Sequence, residues 1–465
     1  MQLRRPWLIM SLLVMVCLLP RPTTAANPLS WLLRSLTQGR HPSLVFRELF
    51  VEVISRIGTI PRGFRTFDRE RLQEVRPPGE AFPCRLDEAG PSKPPPTSVH
   101  RLRPADIRVV AAMGDSLTAG NGALATGLFQ VFAENRGVVW SIGGEGDWRT
   151  SLTLPNILKE FRRGDLVGAS TGDGLSHSYE SQFNVADPNA FATDMLYMAR
   201  VLVTRIRADR RVNFRNDWKL VTILVGSNDL CNQMCHEGDE APSIWERHTT
   251  GLRDALDYLQ KKLPRTLVNL VVTPDVTRVL ARRGLSATCR GVNYLECPCL
   301  LSPSRALPAV LAEETVRRVQ QAEVDLVASG RYDVTEDFTV VVQPFSSNVS
   351  FPIRPEDGST DLSYLSTDCF HFSQKGYAWA SMLHAKWLRE VFSWYANDDI
   401  KMNVTAANAL WNNMLEPVGN KTERVFQDAF TRFLCPSPER PFIFTSRNSA
   451  GVTLGATSTV RRSSH

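Results

Sequence analysis

The sequence predicts an α/β protein whose mainly parallel β-sheet is covered by helices on both faces. Five short runs rich in Val and Ile are nearly continuous rather than alternating, which is typical of strands buried on both faces. Longer segments of helical period lie between or after these runs, and this alternation favours a parallel sheet. The chain has 465 residues with 43% hydrophobic and 22% charged content. That composition is typical of a globular protein with a sizeable core.

The individual elements follow from these runs in chain order. The predicted strands are Ile107–Met113, Val138–Ile142, Leu220–Val225, Leu267–Thr273 and Phe338–Gln343. The predicted helices are Phe191–Ala208, Ile244–Leu263, Ala306–Ala328 and Lys375–Tyr395. The sequence has no internal repeat, so we expect a single main domain over residues 101–396.

Residues 1–25 have the features of a secretory signal peptide. Arg4 and Arg5 precede an apolar run from Leu8 to Leu19, and small residues follow it. The run has about half of the ~20 residues that a membrane-spanning helix needs. No later stretch is long and apolar enough to span a membrane, and we therefore expect a secreted protein without a transmembrane anchor.

Three further segments flank the predicted domain. Residues 26–75 contain an amphipathic stretch, expected either to pack on the main domain or to form an interfacial lid. Residues 76–100 are rich in proline and predict a linker or an extended arm. Residues 397–465 form a C-terminal extension, and its polar tail after Cys435 is expected to have little fixed structure.

Charge and cysteine content narrow the class of protein. The formal charge of +6 includes three arginines of the leader, and 6 − 3 = +3 is too small to indicate a nucleic-acid partner.

Of nine cysteines, one lies in the leader, and the even number left predicts disulfides in an oxidising compartment. The alternative is a zinc site, although its spacing matches no common module; its ligands would be Cys231, Cys235, His236, Cys297 and Cys299. Three sequons permit N-glycosylation, at Asn348, Asn403 and Asn420.

Residues that can carry chemistry follow three of the predicted strands. Ser116 lies at a strand-to-helix turn, where a serine presents its hydroxyl and its backbone N–H together, as a nucleophile requires. Gly144 follows the second run, and a glycine there can bring its N–H close to a ligand. The side-chain amide of Asn228, after the third run, can stabilise an oxyanion. Ligands bind beyond the carboxyl ends of parallel strands, so these residues are expected to converge.

Near the end of the predicted domain, Asp368 and His371 are three residues apart. One short turn can therefore supply a base and the carboxylate that fixes its tautomer. A competing serine motif, Gly168–Gly172, fits the nucleophile elbow of α/β-hydrolases. That motif needs a strand before it and a helix after it, and both flanks here predict loops. We expect Ser170 to lie in a loop that lines the site.

The sequence blocks around Ser116, Gly144, Asn228 and the Asp368–His371 pair, in this order, resemble the GDSL (SGNH) hydrolases. The strings Gly114–Gly122, Asp217–Thr222 and Gly226–Cys231 resemble the phospholipase B branch in particular. The resemblance covers roughly residues 80–395. It implies a three-layer α/β/α, flavodoxin-like sandwich with a mainly parallel five-stranded sheet, and a reaction that needs no metal or cofactor.

Carried over by position, the resemblance also implies the role of each residue. Ser116 is then the nucleophile, His371 the general base and acid, and Asp368 the group that orients the histidine. The oxyanion hole would consist of the Ser116 N–H, the Gly144 N–H and the Asn228 side chain. Gly143 could replace Gly144 after a shift of one residue.

The expected function is that of a secreted serine esterase that releases fatty acids from phospholipids and lysophospholipids through an acyl-enzyme, acting at a lipid interface. Two alternatives stay open: a GDSL esterase for glyceride, retinyl or acylated-carbohydrate esters, and a secreted lipid-binding protein with an inactive site. Phospholipase B proteins of membranes typically carry several tandem copies of this domain and a C-terminal anchor. One copy and no anchor are expected here, so retention at a membrane surface is not predicted.

Overall fold

The computed structural model describes nine stretches of the chain: residues 68–86, 89–162, 165–236, 243–304, 306–348, 351–354, 356–377, 406–421 and 433–450. The chain divides into two units, Met1–Thr66 and Phe67–His465, and every described residue belongs to the second. The predicted signal peptide, most of the amphipathic segment and most of the last predicted helix lie outside the described residues.

A parallel sheet of four strands forms the centre of the described structure. The strands are β1 Ile107–Gly114, β2 Trp218–Leu224, β3 Thr266–Val271 and β4 Phe338–Gln343. Their order in the sheet is their order in the chain, and each neighbouring pair is parallel. Nearly every strand residue is buried, because helices cover both faces of the sheet.

The predicted strand Val138–Ile142 is wrong. Its residues form a 3-10 turn and the turns after it, and the N–H of Gly143 folds back onto the carbonyl of Val139 at 2.7 Å. The edge of β1 is instead met by single bridges to Val167 and Asn184. Val139 and Ile142 are fully buried, so the apolar run correctly indicates a buried segment. A short apolar run does not by itself specify a strand.

Eleven α-helices lie within the described ranges. They are α1 Ser116–Ala119, α2 Leu154–Arg162, α3 Met195–Ala208, α4 Ser227–Gln233, α5 Ile244–Lys262, α6 Ala287–Glu296, α7 Pro298–Leu301, α8 Ala309–Ala328, α9 Gln374–Tyr377, α10 Ala406–Met414 and α11 Ser446–Ser449. Three of the four predicted helices therefore exist, with small changes at their ends. Pro308, which has no N–H and disfavours helical backbone before it, sets the start of α8.

Two apolar cores lie on opposite faces of the sheet, which confirms the predicted three-layer α/β/α class. Alternate residues of β1 point to opposite faces. Val110 and Ala112 pack with residues of α2 and α10, whereas Val109 and Ala111 pack with residues of α3, α5 and α8. The helices cover the two faces of the sheet, so loops can meet at the carboxyl ends of the strands.

The expectation of little fixed structure after Cys435 is wrong as far as Ala450. The N–H of Ile443 donates to the carbonyl of Leu102 at 2.8 Å, and Ile443 is fully buried. The proline-rich segment before the domain is also held against it, since the indole N–H of Trp218 donates to the carbonyl of Pro96. The tail is polar on average, but two of its apolar residues, Ile443 and Phe444, are buried.

Four disulfides join the eight cysteines of the described chain. The pairs are Cys84–Cys435, Cys231–Cys297, Cys235–Cys299 and Cys289–Cys369. The zinc alternative is therefore wrong, because its four cysteines are oxidised and offer no thiolate. Over the nine described stretches, no helix has the length and apolar character needed to cross a membrane.

Candidate active site

The turn at the end of β1 positions Ser116 for contact with a ligand. Gly114 is required there, because a Cβ would lie 2.3 Å from the carbonyl oxygen of Leu224. Asp115 caps α1 by accepting a hydrogen bond from the N–H of Leu117 at 2.9 Å. Burial raises the pKa of Asp115 to about 7. Ser116 follows as the first residue of α1, where the N–H groups of a helix have no partner inside the helix.

Ser116, His371 and Asp368 form one continuous chain of hydrogen bonds. Ser116 Oγ lies 2.9 Å from His371 Nε2, and His371 Nδ1 lies 2.6 Å from Asp368 Oδ2. The other oxygen of Asp368 accepts from the backbone N–H groups of Phe370 at 2.8 Å and His371 at 3.0 Å. Asp368 is fully buried, whereas 12% of the His371 side chain is exposed. The imidazole is thus fixed by a buried carboxylate on one side and open to Ser116 on the other.

The charges around His371 favour its protonated form. Burial opposes ionisation of Asp368, yet His371 and the two backbone N–H groups hold the pKa of that carboxyl below its usual value. Burial alone would lower the pKa of His371, but Asp368, Glu296 and Asp115 together raise it to about 9. An imidazolium, which forms when the histidine takes a proton from a hydroxyl, is therefore stabilised here.

The loop that carries Asp368 and His371 is fastened to α6. The disulfide Cys289–Cys369 joins them covalently, and Asn293 Nδ2 donates to the carbonyl of Asp368 at 2.8 Å. Arg282 donates to the side chain of Asn293 at 2.6 Å and also to the carbonyl of Cys369. Cys369 adopts a φ of 60°, a left-handed conformation that these contacts hold in place. Sequence reasoning missed this clamp, because only the pairing of cysteines in space reveals it.

The predicted oxyanion donors differ in availability. The N–H of Gly144 donates to the carbonyl of Ser170 at 2.7 Å, and the N–H of Gly143 is bonded within its own turn. Neither glycine therefore presents a free N–H in this structure, and the oxyanion role of Gly144 stays a prediction. Asn228 Nδ2 donates to the carbonyl of Ala190 at 3.1 Å. An amide nitrogen has two hydrogens, so one of them is left for a ligand.

Ser170 does not line an open site as expected. It is fully buried, its hydroxyl donates to the carbonyl of Ser181 at 3.0 Å, and its backbone pairs with Gly143. The alternative nucleophile elbow at this position is thus excluded, because a substrate could not reach the hydroxyl.

A second histidine–carboxylate cluster lies next to Asn228, and no local sequence motif indicates it. His248 Nε2 lies 2.9 Å from Glu323 Oε1, and its Nδ1 lies 3.8 Å from Asp229 Oδ1. Glu323 also accepts from the N–H of Thr273 at 2.8 Å. Burial would lower the pKa of His248, but the two carboxylates raise it to about 10. His248 has no exposed surface, and we interpret it as a structural residue.

The three-layer fold, with this hydrogen-bonded set at the carboxyl edge of its sheet, is the arrangement of an ester hydrolase. A family model described as GDSL-like Lipase/Acylhydrolase matches residues 110–383, more than half of the chain. The chain belongs to this family and is an ester hydrolase of the lipase class.

The chain is also similar to membrane-associated phospholipase B1 from two mammals. It is 37% identical to the Mus musculus protein over 378 residues, which cover 80% of this chain and 23% of that one. Identity to the Homo sapiens protein is 38% over 384 residues, 81% of this chain and 24% of that one. The chain thus spans about a quarter of the length of these relatives.

Among solved structures, an extracellular lipase from Streptomyces rimosus matches with 14% identity and a TM-score of 0.26. That match covers 58% of this chain and 94% of the other. A TM-score of this size carries no argument about fold or function.

Proposed function

We propose that this chain hydrolyses the fatty-acid esters of phospholipids and lysophospholipids, with Ser116 as the nucleophile. The observation that carries the proposal is the continuous hydrogen-bond chain from Ser116 through His371 to Asp368. Similarity to membrane-associated phospholipase B1 supports phospholipid as the substrate class.

In the proposed reaction, Ser116 Oγ attacks the ester carbonyl carbon while its proton moves to His371 Nε2. The negative charge that develops on the carbonyl oxygen is held by the Ser116 N–H and the side chain of Asn228. His371 then returns the proton to the leaving alkoxide, and an acyl-enzyme remains. A water molecule, deprotonated by His371, attacks the acyl carbon, and Ser116 recovers its proton as the fatty acid leaves.

Asp368 contributes by fixing the tautomer of His371 and stabilising its positive charge. Gly144 can serve as a third oxyanion donor only after its N–H has left the carbonyl of Ser170. Two donors are therefore available to the oxyanion before any rearrangement of the Gly144 turn.

Two exposed apolar side chains support action at a lipid interface. Phe129, in the turn that follows α1, is 74% exposed, and Leu295, on α6, is 82% exposed. Exposed apolar side chains of this size are favoured at a boundary with acyl chains. The substrate ester would then enter the site from the lipid layer.

Secretion belongs to the same proposal. The features of residues 1–25 support cleavage of a signal peptide, and four disulfides are typical of an oxidising compartment. Asn420 is exposed, which suits glycosylation, while Asn348 is half-buried and Asn403 lies outside the described residues. Glycosylation at all three stays a prediction.

The test is release of fatty acid from phosphatidylcholine and lysophosphatidylcholine by the purified chain, beside Ser116→Ala. We expect the substitution to lower the rate by about 10⁴-fold or more, because it removes the nucleophile. Ser170→Ala is the matched control and should keep activity within about tenfold, since its hydroxyl is bonded internally.

Release that persists in Ser116→Ala would show that another residue is the nucleophile. No release from either lipid, with hydrolysis of glyceride, retinyl or acyl-sugar esters, would replace the phospholipid proposal by one of the other ester classes. Lipid binding without hydrolysis of any ester would indicate a binding protein with an inactive site.

A further inference from the structure

A second carboxyl group, that of Glu296, lies beside the catalytic histidine. Glu296 is the last residue of α6, and its Oε1 is 3.7 Å from His371 Nδ1. One oxygen of Glu296, one oxygen of Asp368 and one ring nitrogen of His371 all lie within 4.8 Å of one another. The mechanism proposed above uses Asp368 alone and assigns no part to Glu296.

The two carboxyl groups are not equivalent in their surroundings. Asp368 accepts two backbone N–H groups and the short bond from His371. Glu296 receives the side-chain N–H of Asn293, at 3.4 Å, and has a side-chain hydrogen bond with Asp368. Two adjacent carboxyl groups that are largely removed from water cannot both ionise cheaply. Asp368 therefore keeps the negative charge, and Glu296 keeps the proton.

The direction of the Glu296 pKa agrees with this geometry. Burial and the neighbouring charge of Asp368 raise the pKa of Glu296 well above its usual value, against the opposite effects of His371 and Arg282. The side chain is nevertheless 19% exposed, so it can exchange its proton with solvent. A proton-exchanging acid is thus placed 3.7 Å from the base of the reaction.

The position of Glu296 is fixed by the same clamp that holds the catalytic loop. Cys289 and Asn293, on the same helix, bind Cys369 and the carbonyl of Asp368 respectively. A movement of α6 would therefore move the loop as well, and the distance from Glu296 to His371 is held constant.

We propose that Glu296 is a second acidic partner of His371, a positioning residue that shares a proton with Asp368 and sets the pH range in which the histidine acts as a base. This inference rests on the proposed function of the triad. With its proton, Glu296 can donate to the Asp368 carboxylate and weaken that group's hold on the imidazolium. Once ionised at higher pH, it adds a negative charge that keeps His371 protonated.

Other charged or titratable groups also face this cluster. Arg282 approaches from the segment before α6, Asp115 from the end of β1, and Tyr377 from α9. Arg282 lowers the pKa of Glu296, and Asp115 raises that of His371. The experiment must therefore change Glu296 alone and leave these groups in place.

The test is the pH profile of Glu296→Gln, which keeps the shape of the side chain but cannot ionise. Two readouts are measured from pH 5 to 10: kcat/KM on a water-soluble fatty-acyl ester, and the rate at which a fluorophosphonate labels Ser116. We expect the acid limb of both profiles to move down by about half to one pH unit. At one unit below the wild-type midpoint, both rates should rise about three- to five-fold.

Three further variants make this result specific. Glu296→Asp, which can still ionise, should return the limb toward the wild-type position. Glu313→Gln removes the same charge from an exposed position on α8 and should leave the limb unchanged. If Glu296→Gln does not fold, Glu296→Ala tests the same shift of the limb.

A wild-type chain that hydrolyses no ester and takes no label would overturn the proposed function. A wild-type chain that is active, with an acid limb identical in Glu296→Gln, would overturn the role of Glu296 alone. A uniform fall in rate at every pH without movement of the limb would also overturn it, since that result indicates a purely structural residue.

Discussion

Two histidines in this molecule are each flanked by two carboxyl groups, and they differ in what the second ring nitrogen meets. His371 binds Asp368 through Nδ1 and presents Nε2 to the hydroxyl of Ser116. His248 has a carboxylate on both sides, Glu323 at Nε2 and Asp229 at Nδ1. Both clusters favour an imidazolium, but only the first has a neighbour from which the histidine can take a proton.

This difference shows that a histidine next to a carboxylate does not by itself define a catalytic site. The His248 cluster holds α4, α5 and α8 together behind Asn228, and its histidine has no exposed surface. The His371 side chain is 12% exposed and contacts Ser116, which follows the carboxyl end of β1. A raised histidine pKa therefore does not separate a structural ion cluster from a candidate catalytic one, and the distinguishing feature is the Ser116 hydroxyl at the second ring nitrogen of His371.

Substitution of His371 is the most direct test of this comparison. We expect His371→Ala to lower ester hydrolysis by about 10⁴-fold, because it removes the group that takes the proton of Ser116 in the proposed reaction. The free energy of unfolding should fall by about 2–3 kcal/mol at pH 7, because the buried Asp368 carboxylate loses its cation but keeps its backbone partners. Initial rates and urea unfolding measure the two quantities. Activity within tenfold of wild type would show that His371 is not the base.

At His248 we expect a larger loss of stability and little loss of activity. His248→Leu leaves Asp229 and Glu323 buried without a cation between them, which should cost about 3–5 kcal/mol of unfolding free energy. Ester hydrolysis by the folded fraction should stay within about tenfold of wild type. Urea unfolding with rates normalised to folded protein would check both.

A double variant provides the control for His248. His248→Leu with Glu323→Leu removes both charges of the closer pair and should recover part of the lost stability, because an apolar pair replaces a broken ion pair. A large loss of activity in His248→Leu with unchanged stability would instead assign this histidine to the chemistry.

The dependence of stability on pH provides a further test of the comparison. The folded-state pKa values of about 10 for His248 and about 9 for His371 lie above the unfolded value of 6.5. The stabilisation from each histidine is therefore full below pH 6.5 and is lost as the pH rises through its folded pKa.

We expect the unfolding free energy to fall between pH 6.5 and 10, with a slope of up to about 1.4 kcal/mol per pH unit for each histidine. His371→Ala and His248→Leu should each reduce this slope. Urea unfolding at several pH values measures it, and a slope that neither variant changes would contradict the assignment of the shifts to these residues.

Most of the fold and the core of the site could be predicted because they depend on local patterns. The strands from Ile107 to Gln343 that are buried on both faces had continuous apolar runs, and four of the five predicted positions are strands. The turn at Ser116 and the short turn from Asp368 to His371 each depend on a few adjacent residues. Val138–Ile142 failed because burial alone produced the same pattern as a strand.

The remaining features depend on which distant segments come together. The bond from Gly144 to Ser170, the pairing of the cysteines and the carboxylates of His248 all join segments that are far apart in sequence. Glu296 had no recognisable motif, since its only special property is its distance from His371.

The sequence by itself determined the α/β class, the ester-hydrolase family, the serine turn and the spacing of Asp368 and His371. These features are set by side-chain period and by bonds between near neighbours, which are encoded residue by residue. Only the tertiary structure decided which N–H groups are already bonded, which histidine meets a serine hydroxyl and which carboxyl groups lie beside it. Hydrogen bonding and ionisation in a buried site depend on distances of a few ångströms between segments that meet only after folding.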